Sequence, residues 1–166
     1  MSISFDKVTI KNELVFRNLW QFFGYDFSEM NNMDLNEEGI FVLPPDYHEF
    51  IEDDQYCSYI IKVDGNHAGL AVIKFIEEES VNYFRHFFII RKFRNKGIGK
   101  SVVHKIVDLY PGKWRVSQFD YNKPAIHFWR KSVGAYTCDN YIEVRRSDGK
   151  GPQQEFKCRL STQNCV

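Results

Sequence analysis

The residues most able to do chemistry lie together in Arg94-Asn95-Lys96-Gly97-Ile98-Gly99-Lys100. Gly97 and Gly99 let backbone N–H groups approach an anion without interference from a Cβ. The apolar and aromatic run from Tyr83 to Ile90 that precedes them reads as a buried strand. Val102, Val103, Ile106, Val107 and Leu109 then recur at helical spacing up to Pro111. A strand therefore enters a two-glycine loop, and the loop opens a helix whose N-terminus offers unpaired N–H donors and the positive end of its dipole. No Asp or Glu occurs between Ser80 and Val107, whereas Arg91, Lys92, Arg94, Lys96, Lys100 and Lys105 all do, in a chain of formal net charge zero. A polyphosphate ligand is the simplest reason for that local excess.

Phosphate loops come in several patterns. Gly99-Lys100-Ser101 imitates the end of a nucleoside-triphosphate loop, but the required first glycine falls at Arg94. A dinucleotide loop needs a third glycine where this chain has Val102. What remains is Arg-x-x-Gly-x-Gly between a strand and a helix. A second signature follows at Asn122, with Ala125, the aromatic pair Phe128-Trp129, the basic Arg130-Lys131 and Gly134. The interval between the two leaves room for one helix (Lys100 to Tyr110) and one strand (Trp114 to Phe119).

In order and spacing, these two signatures resemble those of the GNAT superfamily of acetyl-coenzyme A-dependent N-acetyltransferases, most closely from Tyr56 to Tyr136. The resemblance implies a single domain over residues 1–166 of α/β (α+β) class, with a mixed, mostly antiparallel sheet of six to seven strands flanked by helices. It implies acetyl-coenzyme A as cosubstrate, no metal, and direct transfer to an amine in a ternary complex. Arg94, Asn95, Lys96, Gly97, Ile98, Gly99 and Lys100 would then hold the pyrophosphate. The backbone of Phe87, Phe88 and Ile89 would pair with the pantetheine arm, with an N–H near Ile89 facing the reacting carbonyl oxygen. Asn122 and Trp129 complete the expected coenzyme A contacts; Asn122 reads equally well as a helix N-cap ahead of Pro124.

Catalytic groups are harder to name. The strand before the loop carries Tyr83, Arg85 and His86 and no acid. His86 has the pKa range of a base, yet a histidine among aromatics is more often a core residue. Where many superfamily members have a tyrosine that protonates the leaving thiolate, this chain has Trp129, whose indole N–H is a donor of negligible acidity. Tyr136 is a candidate for a displaced acid or for packing in a strand. A non-catalytic acyl-coenzyme A-binding module on the same fold is the alternative function.

The remaining sequence sets the context. Aromatic residues make up 16%, fifteen of them Phe, so an aromatic core is expected. Balanced charge argues against nucleic acid or a membrane surface as partner, and no run reaches the ~18 apolar residues of a membrane helix. Met1 to Ile10 lacks the apolar core of a secretory signal, and Cys57, Cys138, Cys158 and Cys165 show no metal-ligand spacing. The expectation is a cytoplasmic protein with isolated thiols, for which a homodimer is a permitted assembly. Ser2 to Ile10 reads as an edge strand. Leu14 to Phe23 reads as a helix stopped at Gly24, with a further turn from Tyr25 to Met30. Tyr25, Asp26 and Glu29 are candidates for the acceptor wall, and with Asp34, Glu37 and Glu38 they favour a cationic acceptor. Asp64-Gly65-Asn66 marks a hairpin. Glu77 to Glu79 reads as a solvated turn. Tyr136 to Val144 and Gln153 to Leu160 read as closing strands.

Overall fold

The computed structural model describes residues 1–158. Seven strands are ordered β1-β2-β3-β4-β5-β7-β6. They are β1 (Ile3–Lys7), β2 (Tyr56–Val63), β3 (Asn66–Ile76), β4 (Val81–Ile89), β5 (Lys113–Ser117), β6 (Ile142–Arg145) and β7 (Pro152–Lys157). The helices are α1 (Glu13–Asn31), α2 (Glu49–Glu52), α3 (Ile98–Leu109) and α4 (Lys123–Thr137). This is the mixed, mostly antiparallel sheet with flanking helices that the sequence implied. The described residues divide into two compact units, Met1–Ile73 with His86–Arg94, and Lys74–Arg85 with those from Asn95 onward.

In the first unit β1 pairs antiparallel with β2 from Ile3↔Val63 to Lys7↔Tyr59. Asp64 and Gly65 both take positive φ (48° and 77°), the pattern of a two-residue hairpin turn whose twist matches that of its strands. α1 buries Phe16, Leu19, Trp20 and Gly24 at helical spacing. Its core is aromatic as expected: Trp20 stacks on Phe50 and meets Phe16, Phe23 and Tyr47 edge-on.

The stop at Gly24 is corrected. α1 runs without a break to Asn31 and ends at Asn32 in the left-handed region. Gly24 serves packing, because a Cβ there would lie 2.8 Å from Phe41 Cβ and Cγ. Gln21 fixes the Phe41 segment by accepting from its N–H at 2.8 Å and donating to its carbonyl at 3.1 Å.

In the second unit β4 pairs parallel with β5 from Val81↔Lys113 to Phe84↔Val116, the crossover being α3. That helix buries Ile98, Val102, Val103, Ile106 and Val107 and stops at Tyr110, before Pro111. Glu79 in the turn before β4 is exposed and bidentate to Arg115, as befits a solvated turn.

The strand expected to begin at Tyr136 is also corrected. α4 continues to Thr137, and Cys138 and Asp139 end it with positive φ (55° and 61°), both donating to Gly134 O. Gly134 lies inside this helix and leaves room for Asp139, whose Oδ1 would sit 2.5 Å from a Cβ there. The closing strands are therefore shorter than expected, and the end of the second, at Leu160, lies outside the described residues. Cys57 and Cys158 form no disulfide, whereas Cys138 is disulfide-bonded, so the expectation of four isolated thiols does not hold.

Candidate active site

The last residues of β4 are held in a defined alternation. Ile90 N–H donates to Ala68 O at 2.8 Å. The Phe88 carbonyl points at Gly69, where its oxygen lies only 2.0 Å from the position a Cβ would take. Only glycine fits opposite that carbonyl. Because N–H and C=O of one strand residue point the same way and alternate along the strand, Ile89 directs both groups away from β3. Its carbonyl is engaged by Arg94 Nε at 2.7 Å, so of this pair only the N–H is left for a ligand.

Arg94 does more than the sequence suggested. Its NH2 group donates to Asp26 Oδ2 at 2.6 Å, and its guanidinium lies over the Phe88 ring, 5.4 Å from the centroid. Arg91 Nε donates to the other oxygen, Asp26 Oδ1, at 2.8 Å. Burial alone would push the Asp26 carboxyl up; the hydrogen bonds from Arg94 and then Arg91 outweigh it and hold it below its usual range. Asp26 and Arg94, expected to face acceptor and pyrophosphate respectively, are thus partners of each other.

Two other acceptor candidates, Tyr25 and Glu29, are exposed on α1. His86 has its ring among Trp20, Phe50 and Phe23, with centroids at 4.8, 5.4 and 5.9 Å. It is a member of the aromatic core.

In the second unit Gly97 caps α3 in the left-handed region, at φ 74°, and nothing lies within 4 Å of a Cβ built on it. The first N–H groups of the helix, from Ile98, Gly99 and Lys100, have no partner within the helix. They open onto space at a 12-residue helix terminus. Asn95, Lys96 and Lys100 are exposed, and among the described residues neither lysine is ion-paired. Free helix N–H donors, the positive end of the dipole and exposed lysines close by in sequence are a combination that suits an anionic group.

Asn122 caps α4, its Oδ1 accepting from Ala125 N–H at 3.1 Å. Trp129 is 6% exposed and packs on Phe84 and Phe128 at centroid distances of 4.9 and 5.2 Å. Tyr136 is on α4, with its hydroxyl donating to Asp108 Oδ1 at 2.6 Å and lying 3.3 Å from Cys158 Sγ. A cavity of about 350 Å³ opens beside α4 and β6, lined by Asp120, Lys123, Ile126, Arg130, Glu143 and Arg145 among others. None of the residues expected at the site lines it.

Sequence reasoning missed Gly69 and the pairing of Asp26 with Arg94. Gly69 stands inside an apolar strand, past the turn at Asp64-Gly65-Asn66, and nothing beside it in sequence shows the carbonyl it faces. Asp26 and Arg94 are 68 residues apart.

The Acetyltransferase (GNAT) family model matches residues 19–135, and the chain belongs to that family. An acetyltransferase from Thermus thermophilus superposes with a TM-score of 0.73 at 12% identity, over 95% of this chain and 97% of its own. A spermidine N-acetyltransferase from Vibrio cholerae, in complex with CoA and spermine, gives a TM-score of 0.64 at 13% identity, covering 93% and 95% of the two chains. An aminoglycoside acetyltransferase in complex with coenzyme A gives a TM-score of 0.64 at 15% identity, covering 94% and 95%. At these identities the likeness is one of fold. No curated protein sequence matches the chain. No helix among the described residues is long and apolar enough to cross a membrane.

Proposed function

We propose that this chain works as a single domain that transfers the acetyl group of acetyl-coenzyme A directly to a cationic amine, both substrates being bound together. Family membership supports the reaction class. The observation that carries the reading is the open, Gly97-capped start of α3, flanked by Lys96 and Lys100, which have no ion-pair partner among the described residues. Ile98, Gly99 and Lys100 would offer N–H groups to the pyrophosphate, and Lys96 and Lys100 would add charge. Phe87, Phe88 and Ile89 would lie along the pantetheine arm, and the Ile89 N–H would donate to the carbonyl oxygen as negative charge develops there. The exposed carboxylates Glu29, Asp34, Glu37 and Glu38 favour a cationic acceptor, and the Vibrio cholerae neighbour holds spermine.

In this reaction neither His86 nor Tyr136 acts as a catalytic residue. His86 packs among aromatic rings, and the Tyr136 hydroxyl already donates to Asp108. A thiol has a pKa of about 8.5, so the thiolate can leave without a side-chain acid. The acceptor loses its proton to solvent, and rate should rise with pH as the amine becomes free base, then level off.

The test is release of free thiol from acetyl-coenzyme A across a panel of polyamines, aminoglycosides and peptide amines. Turnover above the amine-free blank is expected. Tight coenzyme A binding with no turnover on any amine would leave the non-catalytic binding module as the reading.

A further inference from the structure

Three hydrogen bonds converge on the end of β4 in a way that a phosphate-binding arginine does not require. Asp26 takes Arg94 on one carboxylate oxygen and Arg91 on the other, at 2.6 and 2.8 Å. The Nε of the same Arg94 holds the Ile89 carbonyl at 2.7 Å. On the far side of that peptide group the Ile90 N–H is held by Ala68 O. The peptide joining Ile89 to Ile90 is thus gripped at both ends, and the Ile89 N–H belongs to the same residue.

From this geometry we infer that Asp26 is a positioning residue for acetyl transfer, acting through Arg94 to fix the direction of the Ile89 N–H. The inference rests on the functional reading above. It changes the part played by two residues: Asp26 does not meet the acceptor, and Arg94 does not serve mainly as a pyrophosphate ligand. Asp26 has 20% of its side chain exposed and Arg94 35%. A pair this near the surface adds little to stability, so its effect should appear in the geometry of the strand end. Arginine is required because one planar fork reaches the carboxylate and the carbonyl together; a lysine ammonium keeps the charge and lacks the fork.

Asp26→Asn, Arg94→Gln and Arg94→Lys should each lower kcat about tenfold or more, up to the roughly 10²- to 10³-fold cost of removing an oxyanion donor outright. The Kd for coenzyme A and the KM for the best amine of the panel should stay within about threefold of wild type. The double variant Asp26→Asn/Arg94→Gln should be no slower than either single one, because the two act as a unit. The backbone ¹⁵N–¹H resonance of Ile89 should shift in all of them. That readout needs no turnover, so a wild-type protein that acetylates nothing would sink the functional reading while still testing this one. Arg94→Lys with wild-type kcat, joined to a tenfold weaker Kd in Arg94→Gln, would show a phosphate ligand instead. A raised KM for the amine at constant kcat in Asp26→Asn would return Asp26 to the acceptor. An unmoved Ile89 resonance in a folded Arg94→Lys protein would overturn the inference outright.

Discussion

Arg91 and Arg94 lie on one side of Asn95, Lys96 and Lys100 on the other, and the two pairs have opposite surroundings. The arginines share one carboxylate, Asp26, and Arg94 is further tied to a backbone carbonyl. The lysines are exposed beside a helix start without a Cβ in front of it. A run of basic residues is therefore two devices. One half holds the protein's own backbone in place, and the other is the half proposed above to meet the pyrophosphate. Guanidinium forks suit the first task and flexible ammonium groups the second.

The largest effect should come from the frame behind the pinned half. Gly69→Ala would set a Cβ 2.0 Å from the Phe88 carbonyl oxygen, and with backbone on both sides nothing can yield cheaply. A loss of about 3 kcal/mol or more is expected by chemical denaturation. A near wild-type midpoint would mean that β4 is not held as described.

Next comes the open half. Lys96→Gln together with Lys100→Gln should weaken coenzyme A about tenfold at low salt and flatten the dependence of affinity on ionic strength, as measured by calorimetry. Arg94→Gln should do neither. Equal losses from both halves would erase the contrast between them.

Trp129 tests whether the missing tyrosine matters. Trp129→Phe keeps an aromatic ring against Phe84 and should retain most of kcat, far from the roughly 10²-fold loss of a removed general acid. A descending alkaline limb that vanishes in Tyr136→Phe would instead identify a moved acid and break the hydrogen bond to Asp108 as its resting state.

The smallest effect is in acid. The folded-state pKa of Asp26 is depressed, so its pairing contributes stability that is fully present above the unfolded value of about 3.9 and is lost as pH falls through the folded one. Asp26→Asn should lose that small contribution at neutral pH, flatten the stability curve below about pH 4 and converge on wild type in stronger acid. An equally steep acid loss in the variant would place the responsible carboxylate elsewhere.

What the sequence disclosed follows from how far each cause reaches along the chain. The loop at Gly97, the cap at Asn122 and the hairpin at Asp64-Gly65 are local demands on backbone conformation, and they leave local marks. Gly24 and Gly134 carry the same letter for another reason. They make room for Phe41 and Asp139, and read locally they pass for helix stops. Asp26 reads as one of several acids on a helix face until Arg94 folds back onto it. The aromatic run around His86 indicated a core, but only the positions of Trp20, Phe23 and Phe50 show that the imidazole belongs to it.

The 68 residues that separate Asp26 from Arg94 also order events in time. At a synthesis rate of about 5–20 residues per second, the aspartate emerges several seconds before its arginine exists. Late in that interval, once Ile76 has been made, the β2–β3 hairpin can close in about 1–10 μs, while the Asp26 carboxylate on α1 stays in water. The clasp on Ile89 forms only after the loop has been made. A nascent chain truncated before Arg94 should therefore hold much of its first unit in place and still lack a directed N–H at the end of β4.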